Sequence, residues 1–447
     1  MKKFLLIASF MLIAIFAMST TVYAAEAASE AELEAALAGT DATITLKGNV
    51  ELTKSLEVGR TVTLDLNGFN ITAKDGMTDD SLIIVLHGGA LTVEGNGSIS
   101  ATNDNASARI AVKMTKGGNV EAFYKNNAAK LVLNSGVLEG KSFGISGNGN
   151  PDRINTIVEI NGGEVKGGTT GIYHPQEGKL TINAGTVEGK TGIEMRSGDL
   201  LVTGGSIVGT GSPASSTGNL SGTTTVGAGI AVAQHTTEKN ISVVVKGGNV
   251  QGYSALYESN PQSNTTMDKV ILKIEGGNFE AINNGTDAIY SEDKTEFVTG
   301  GTFSTNVEAY IDANNADIKS VKDETTGEYY VGVESKITVK AGENGKASAA
   351  EKAVEGQPVK ITATANEGYK VGTIKVTDAA GKEVKVVNGE FLMPGSEVTV
   401  EVTFEKLPLD NTPATGSIDT IMFVGMLVSA IAIVGIVMKK QAMKNLV

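Results

Sequence analysis

Three short strings in the chain share one pattern: VEINGG at residues 158–163, LTINAG at 180–185 and VVVKGG at 243–248. Each has aliphatic residues five and three positions before its final glycine and an apolar residue two positions after it. Apolar residues two apart lie on one side of a β-strand, and the paired small residues mark a sharp bend after that strand. The pattern predicts a unit of strand, bend and strand. The unit recurs on six aligned glycines: Gly136, Gly163, Gly185, Gly205, Gly248 and Gly277.

A second apolar element follows the aligned glycine in most copies. It comprises the pairs Gly144-Ile145, Gly171-Ile172, Gly192-Ile193, Ala255-Leu256 and Ala288-Ile289. A unit of about 20 residues with short strands and no helical period is typical of one coil of a β-solenoid. The 43 residues between Gly205 and Gly248 are interpreted as two coils' worth of chain, filled partly by a Ser/Thr/Gly-rich excursion loop at 209–225.

The predicted solenoid covers residues 42–331, because the same alternation begins near residue 43. Before it, residues 25–41 carry a helix signal in which Ser29 and Glu32 form a capping box. Leu33, Ala36 and Leu37 fall on one face of that helix. An uncapped solenoid end exposes unpaired strand edges and core, so the helix is expected to cover the first coil.

The glycine-bend repeat resembles the right-handed parallel β-helix proteins of the pectate-lyase-like class. The resemblance implies an all-β chain with a single-stranded right-handed parallel β-helix. That class includes polysaccharide lyases and glycosidases, so an enzyme is one alternative for this chain. The predicted mature chain has only isolated arginines and no convergent cluster of acids and bases, so no catalytic residue is assigned and a non-enzymatic role is favoured.

In residues 336–406 the sequence pattern changes and predicts longer alternating strands, which are separated by glycine-containing turns. The string FLMPGSEVTVEVTFE at 391–405 resembles the end of internalin-type B-repeat domains, which are small β-grasp-like modules common in Gram-positive surface proteins. A small β-rich domain is therefore expected after the solenoid, with residues 407–416 as an exposed linker.

The two ends of the chain predict export. Lys2 and Lys3 precede a short apolar stretch, which is typical of a secretory signal peptide, here residues 1–24. At the other end, 421–438 is an uninterrupted apolar run of 18 residues, long enough for a transmembrane helix. The basic segment 439–447 that follows is expected to stay cytoplasmic.

A pentapeptide stands directly before the apolar span: Thr412, Pro413, Ala414, Thr415 and Gly416. Together with the span and the basic tail it resembles the cell-wall sorting signal of Gram-positive surface proteins. The resemblance implies a sortase and peptidoglycan as partners, with Thr415 as the attached residue. The usual leading leucine is replaced by Thr412, and a plain C-terminal membrane anchor is the alternative.

Composition excludes several kinds of chemistry. The net charge of −13 repels phosphate backbones, so nucleic acid is not an expected partner. The chain has no cysteine and only three histidines, none with a partner at metal-ligand spacing, so neither a metal nor another cofactor is expected.

Four tyrosines follow or adjoin the second strand element: Tyr173, Tyr253, Tyr257 and Tyr290. Aligned on one flank they would form a platform on which sugar rings stack, whereas packing at coil corners is the plainer interpretation. The sequence thus favours a wall-anchored display protein on the outer face of a Gram-positive cell, for adhesion or for binding host or bacterial glycans or matrix. The alternatives are a polysaccharide lyase or glycosidase, and a purely structural envelope protein.

Overall fold

A computed structural model describes residues 24–408, except 221, 313, 314 and 316. Most of the predicted signal peptide, the pentapeptide 412–416, the apolar span 421–438 and the basic tail therefore lie outside the described residues. None of the helices within the described part has the length and apolar character needed to span a bilayer.

Residues 24–303 form three columns of stacked parallel strands, and each complete turn of chain adds one strand to each column. Column 1, before the bend glycine, contains Ala24–Ala27, Thr43–Leu46, Thr61–Asp65, Ala90–Glu94, Ala129–Leu133, Thr156–Ile160, Gly178–Ile182, Gly198–Val202, Ile241–Val245 and Val270–Ile274. Column 2, after the bend, contains Val50–Leu52, Asn70–Ala73, Ser98–Ala101, Val137–Gly140, the first halves of Glu164–His174 and Thr186–Met195, Ser206–Gly209, Asn249–Gly252, Asn278–Ala281 and Gly301–Phe303. Column 3 contains Leu56–Val58, Ser81–Val85, Ile110–Met114, Phe143–Ser146, the second halves of the same two long strands, Ala228–Val232, Ser254–Glu258 and Ile289–Ser291.

The register between turns is set by the apolar side chains that point inward. In column 3 one inward ladder runs through Ile145, Ile172, Ile193, Ile230, Leu256 and Ile289. Each of these side chains is buried, and they belong to one continuous apolar core. A shift by one residue would turn a whole strand's apolar set toward solvent, so burial fixes the register. The prediction of a mostly β chain with a large parallel sheet is confirmed.

The bends are made by glycines in the left-handed backbone region. Gly163 has φ +70° and Gly185 has φ +79°. A Cβ at Gly185 would lie 2.6 Å from the carbonyl oxygen of Gly163, so the stacking leaves no room for a side chain. Glycine therefore satisfies two independent requirements at this position.

The bend also carries a ladder of polar side chains. Asn161 Nδ2 donates to Asn134 Oδ1 at 3.2 Å, and Asn183 Nδ2 donates to Asn161 Oδ1 at 2.9 Å. Thr203 Oγ1 donates to Asn183 Oδ1 at 2.7 Å. The amides of Asn161 and Asn183 thus act as both donor and acceptor, which ties successive turns together.

The structure has the excursion loop that was predicted at 209–225, but the interpretation of 205–248 as two coils' worth of chain is wrong. Gly198–Val202 pairs directly with Ile241–Val245, so this stretch is a single turn of the stack. The extra residues leave the stack after column 2 and return at column 3, and we call the described residues 210–220 and 222–227 the strap. Within the strap, Ser215–Ser216 pairs with Thr225–Val226 in a short antiparallel hairpin. The spacing between glycines cannot distinguish two coils from one coil with a long loop. A loop of any length is compatible with the stack, provided that its two ends join strands in the correct register.

The helix Glu30–Ala38 covers the first turn, as predicted. Ser29 Oγ accepts from the backbone N–H of Glu32, and Glu32 Oε2 accepts from the N–H of Ala28 at 2.8 Å. Leu33 and Leu37 are buried against the core. The strand Ala24–Ala27, which precedes the helix and extends column 1 by one member, was not predicted.

After the stack, the strand Tyr329–Ala341 belongs to two sheets. Its first half pairs antiparallel with Gly301–Phe303 and Ile318–Lys322, and its second half pairs in parallel with Val398–Lys406. The other strands of this second unit are Gly345–Ser348, Lys352–Val354, Pro358–Lys360, Thr362–Ala365, Tyr369–Asp378, Glu383–Val384 and Glu390–Leu392. The unit has its own apolar core. The remaining helical segments are Glu121–Asn126 and the 3-10 turns Pro151–Arg153, Met267–Lys269 and Glu308–Tyr310.

Candidate binding face

The outer face of column 3 brings most of the predicted tyrosines into one line. Side chains alternate along a strand, so the residue after each inward aliphatic points outward. In register, the outward ladder of successive turns is Ser146, Tyr173, Glu194, Ala231, Tyr257 and Tyr290. Tyr253 is not in this ladder, because it lies at the corner between Asn249–Gly252 and Ser254–Glu258. We call this ladder the column 3 face.

Tyr257 and Tyr290 form a stacked pair at the C-terminal end of the column 3 face. Their ring centroids are 4.7 Å apart with an interplanar angle of 19°. Tyr290 is 38% exposed and Tyr257 is half-buried. Burial, then the neighbouring Tyr257 and Glu292, raise the pKa of Tyr290, so its phenol stays a neutral hydrogen-bond donor at physiological pH. The pair therefore presents the exposed ring of Tyr290, backed by the half-buried ring of Tyr257.

Tyr173 lies at the other end of the same ladder but is covered. It is only 7% exposed, and its ring stacks on Phe143 at a centroid distance of 5.3 Å. Its hydroxyl donates to the carbonyl oxygen of Gly222 in the strap at 2.9 Å. A ligand can reach this ring only if the strap moves.

Polar side chains of the stack hold the strap in place. The backbone N–H and the Oγ1 of Thr224 donate to Glu194 Oε1 at 2.7 and 2.8 Å. Thr191 Oγ1 donates to the carbonyl oxygen of Thr225 at 2.6 Å. Arg196 donates to the carbonyl oxygens of Gly222 and Asn219. The strap is therefore fastened by hydrogen bonds to Thr191, Glu194 and Arg196, three side chains of one turn of the stack.

Glu194 is the most perturbed carboxyl beneath the strap. It is fully buried, and its Oε2 has no hydrogen-bond partner among the described atoms. Burial raises its pKa from 4.5 to about 7, against the opposing effects of the Thr224 hydrogen bonds and the Arg196 charge. The sequence pattern did not single out this residue, because its burial depends on the strap rather than on strand alternation.

Two further titratable groups are buried on the inner side of column 3. Burial lowers the pKa of His174 to about 4, and its Nδ1 donates to the carbonyl oxygen of Ser197 at 3.0 Å. Glu258 Oε2 accepts from Ser291 Oγ at 2.7 Å and from the N–H of Asp293 at 3.0 Å. Burial also raises the pKa of Glu258. Each side chain is anchored by these hydrogen bonds, while His174 Nε2 and Glu258 Oε1 are buried without a partner among the described residues.

The described residues contain no group of three His, Asp or Glu side chains arranged to hold a metal ion. A cavity of about 560 Å³ lies at the far N-terminal end of the stack, between the capping helix and the first turn. Leu37, Lys54 and Arg60 are among its lining residues. It is separate from the tyrosine pair, which lies on an open face.

Comparison with known proteins bears on the second unit. Residues 335–408 match the family described as divergent InlB B-repeat domain, which confirms the resemblance noted at 391–405. Such a domain is typical of bacterial surface proteins. No curated protein and no solved structure gave a match to the chain.

Proposed function

We propose that this chain is a display protein of the Gram-positive cell surface, whose column 3 face binds host or bacterial glycans or matrix. The observation that carries the proposal is the stacked, exposed pair of Tyr257 and Tyr290. The B-repeat match at 335–408 supports a surface location.

The stacked columns fit a right-handed parallel β-helix of the pectate-lyase-like class, and the second unit fits a β-grasp-like module. In this proposal the signal peptide 1–24 exports the chain, and the span 421–438 holds it in the membrane until a sortase acts. The sortase transfers Thr415 to peptidoglycan. The basic tail 439–447 stays in the cytoplasm, and nucleic acid is not a partner of so acidic a chain.

A sugar is the ligand class that this face fits. The apolar faces of pyranose rings pack on aromatic rings, while their hydroxyls need donors and acceptors at the rim. Tyr290 supplies an exposed ring and a neutral hydroxyl. The exposed Glu292, whose Oε2 already accepts from the N–H of Asn260 at 2.9 Å, holds an orientated carboxylate two residues from that ring.

Glycan binding can be tested with the full-length chain on an array of bacterial and host glycans. Tyr290→Ala should weaken binding to the preferred glycan about tenfold, equal to roughly 1.4 kcal/mol. Phe123→Ala is the matched control, because it removes an exposed aromatic residue from a helix outside the column 3 face. Equal binding by the Tyr290 variant and the wild type, or no bound glycan at all, would leave an architectural role.

A further inference from the structure

We propose that the strap is a pH-dependent lid, which closes over Tyr173 and Glu194 in mildly acidic solution and opens as the pH rises. Opening would extend the binding face along the same ladder from Tyr257 toward Tyr173. The part of this inference that concerns ligand binding rests on the proposed function, whereas the movement of the strap does not.

The strap is held by polar contacts, with little apolar burial. Its largest aliphatic side chain, Leu220, is 76% exposed. Thr224 and Thr225 are its buried side chains, and both make hydrogen bonds to column 3 residues or to each other. Segments with little apolar burial open at low free-energy cost. The closed state is therefore sensitive to any change in those few hydrogen bonds.

The sign of the pH effect follows from the burial of Glu194. In the closed state its pKa is about 7, against an ordinary value of 4.5 when the carboxyl meets water. The closed state thus binds the proton more tightly, so closure is favoured at low pH and weakens as the pH rises from 4.5 through about 7. The carboxylate that forms has one oxygen, Oε2, with no hydrogen-bond partner among the residues that the structure describes.

Other groups around Glu194 set the useful pH range. Arg196 directly follows the strand Thr186–Met195, is fully buried and places a positive charge near Glu194. Burial raises the pKa of Tyr173, on the preceding turn, so its phenol remains neutral. The next turn contributes the apolar Ala231. His235 Nε2 donates to the carbonyl oxygen of Leu220 at 3.2 Å, and burial with the nearby Arg196 lowers its pKa below 6.5. Between pH 6 and pH 8, Glu194 is therefore the main group that changes charge beneath the strap.

A local measurement is needed, because His174 works in the opposite direction on global stability. Its buried ring has a pKa of about 4, so the folded protein loses stability as the pH falls from 6.5 toward that value. We therefore choose hydrogen–deuterium exchange of peptides that span residues 217–226 of the full-length chain, with rates corrected for intrinsic base catalysis. The protection of the Thr224 amide in the wild type should fall by about tenfold between pH 6 and pH 8.

Substitutions separate the lid from a general loosening of the protein. In Glu194→Gln the neutral amide can still accept from Thr224, and protection should no longer depend on pH. Glu188→Gln, which changes a half-buried carboxyl on the same strand, should keep the wild-type fall. Tyr173→Phe removes the hydrogen bond to Gly222, so protection should drop at every pH with the same midpoint.

The lid proposal would be overturned if the exchange protection of the wild type stayed constant between pH 6 and pH 8. It would also be overturned if Glu194→Gln showed the same fall in protection as the wild type. Glycan binding is measured separately with the same proteins: it should be stronger at pH 8 than at pH 6 in the wild type, and independent of pH in Glu194→Gln. Exchange that follows the prediction without any glycan binding would support the lid and reject the proposed function.

Discussion

At the scale of single residues, the bend glycines carry the tightest constraint in the stack. The carbonyl oxygen of each lies directly against the α-carbon of the next, so that a Cβ at Gly163 would meet Gly136 O at 2.5 Å. A Cβ at Gly205 would meet Gly185 O at 2.9 Å. The positive φ and the close approach are separate penalties, and they can be measured separately.

We expect Gly185→Ala to lower the free energy of unfolding by about 2 to 5 kcal/mol, through the left-handed backbone and through overpacking. The control is Gly76→Ala, because Gly76 also has a positive φ of +82° but no atom within 4 Å of the added Cβ. That variant should lose only about 1 to 2 kcal/mol. Urea denaturation of both variants measures the two losses of unfolding free energy. Equal losses would show that the stacking of turns adds no constraint at this bend.

Repetition along the stack explains which residues could be predicted from the sequence. The bend glycines and the inward aliphatics recur because every turn faces the same geometry, so a single sequence shows them as a repeat. Tyr257 and Tyr290 could be named as candidates for the same reason, since they occupy one repeat position. Glu194 occupies that position too, but its burial comes from the strap, which has no counterpart in the neighbouring turns.

At the scale of elements, the capping helix depends on one arginine from the stack. Arg60 Nε donates to Leu37 O at 2.9 Å, while its Nη atoms donate to Asp41 O at 2.7 Å and Ala36 O at 2.8 Å. The last carbonyls of a helix have no partner inside the helix, and they carry partial negative charge. Arg60 therefore fixes the helix C-terminus onto the first turn of the stack.

Arg60→Ala should destabilise the protein by about 2 to 4 kcal/mol, because it leaves these carbonyls without a charged donor. Exchange protection should be lost first in the helix Glu30–Ala38. Lys54→Ala is the matched control, since its exposed ion pair with Glu34 at 2.7 Å joins the same helix to the same turn yet should change stability little. If the Lys54 variant were as unstable as the Arg60 variant, positive charge near the helix would explain its attachment to the stack, and the specific hydrogen bonds of Arg60 would not.

Element types were predicted well, but their connections were not. Strand alternation and the capping box are local patterns, and both appear in the structure where the sequence placed them. The assignment of 205–248 to two coils failed, because loop length carries no information about register. The pairing of Tyr329–Ala341 with both units was also missed, since antiparallel closure of a parallel stack has no local signature.

At the scale of the whole molecule, the order of the parts along the chain matches their proposed roles. The stack with the column 3 face comes first, the B-repeat unit at 335–408 follows, and the proposed sorting motif stands after it. The shared strand Tyr329–Ala341 joins stack and B-repeat without an intervening linker. A net charge of −13 keeps such a chain soluble and apart from other anionic polymers.

Covalent attachment at Thr415 gives the last prediction. In cells that carry the matching sortase, Thr415→Ala should abolish the fraction that resists boiling detergent and is released only by muralytic digestion, because the acyl transfer needs the Thr415–Gly416 bond. Thr412→Leu restores the more common leading residue, so it should keep that fraction or increase it. An unchanged muralytic fraction in Thr415→Ala would leave the apolar span 421–438 as the anchor, and detergent should then extract wild type and variants alike.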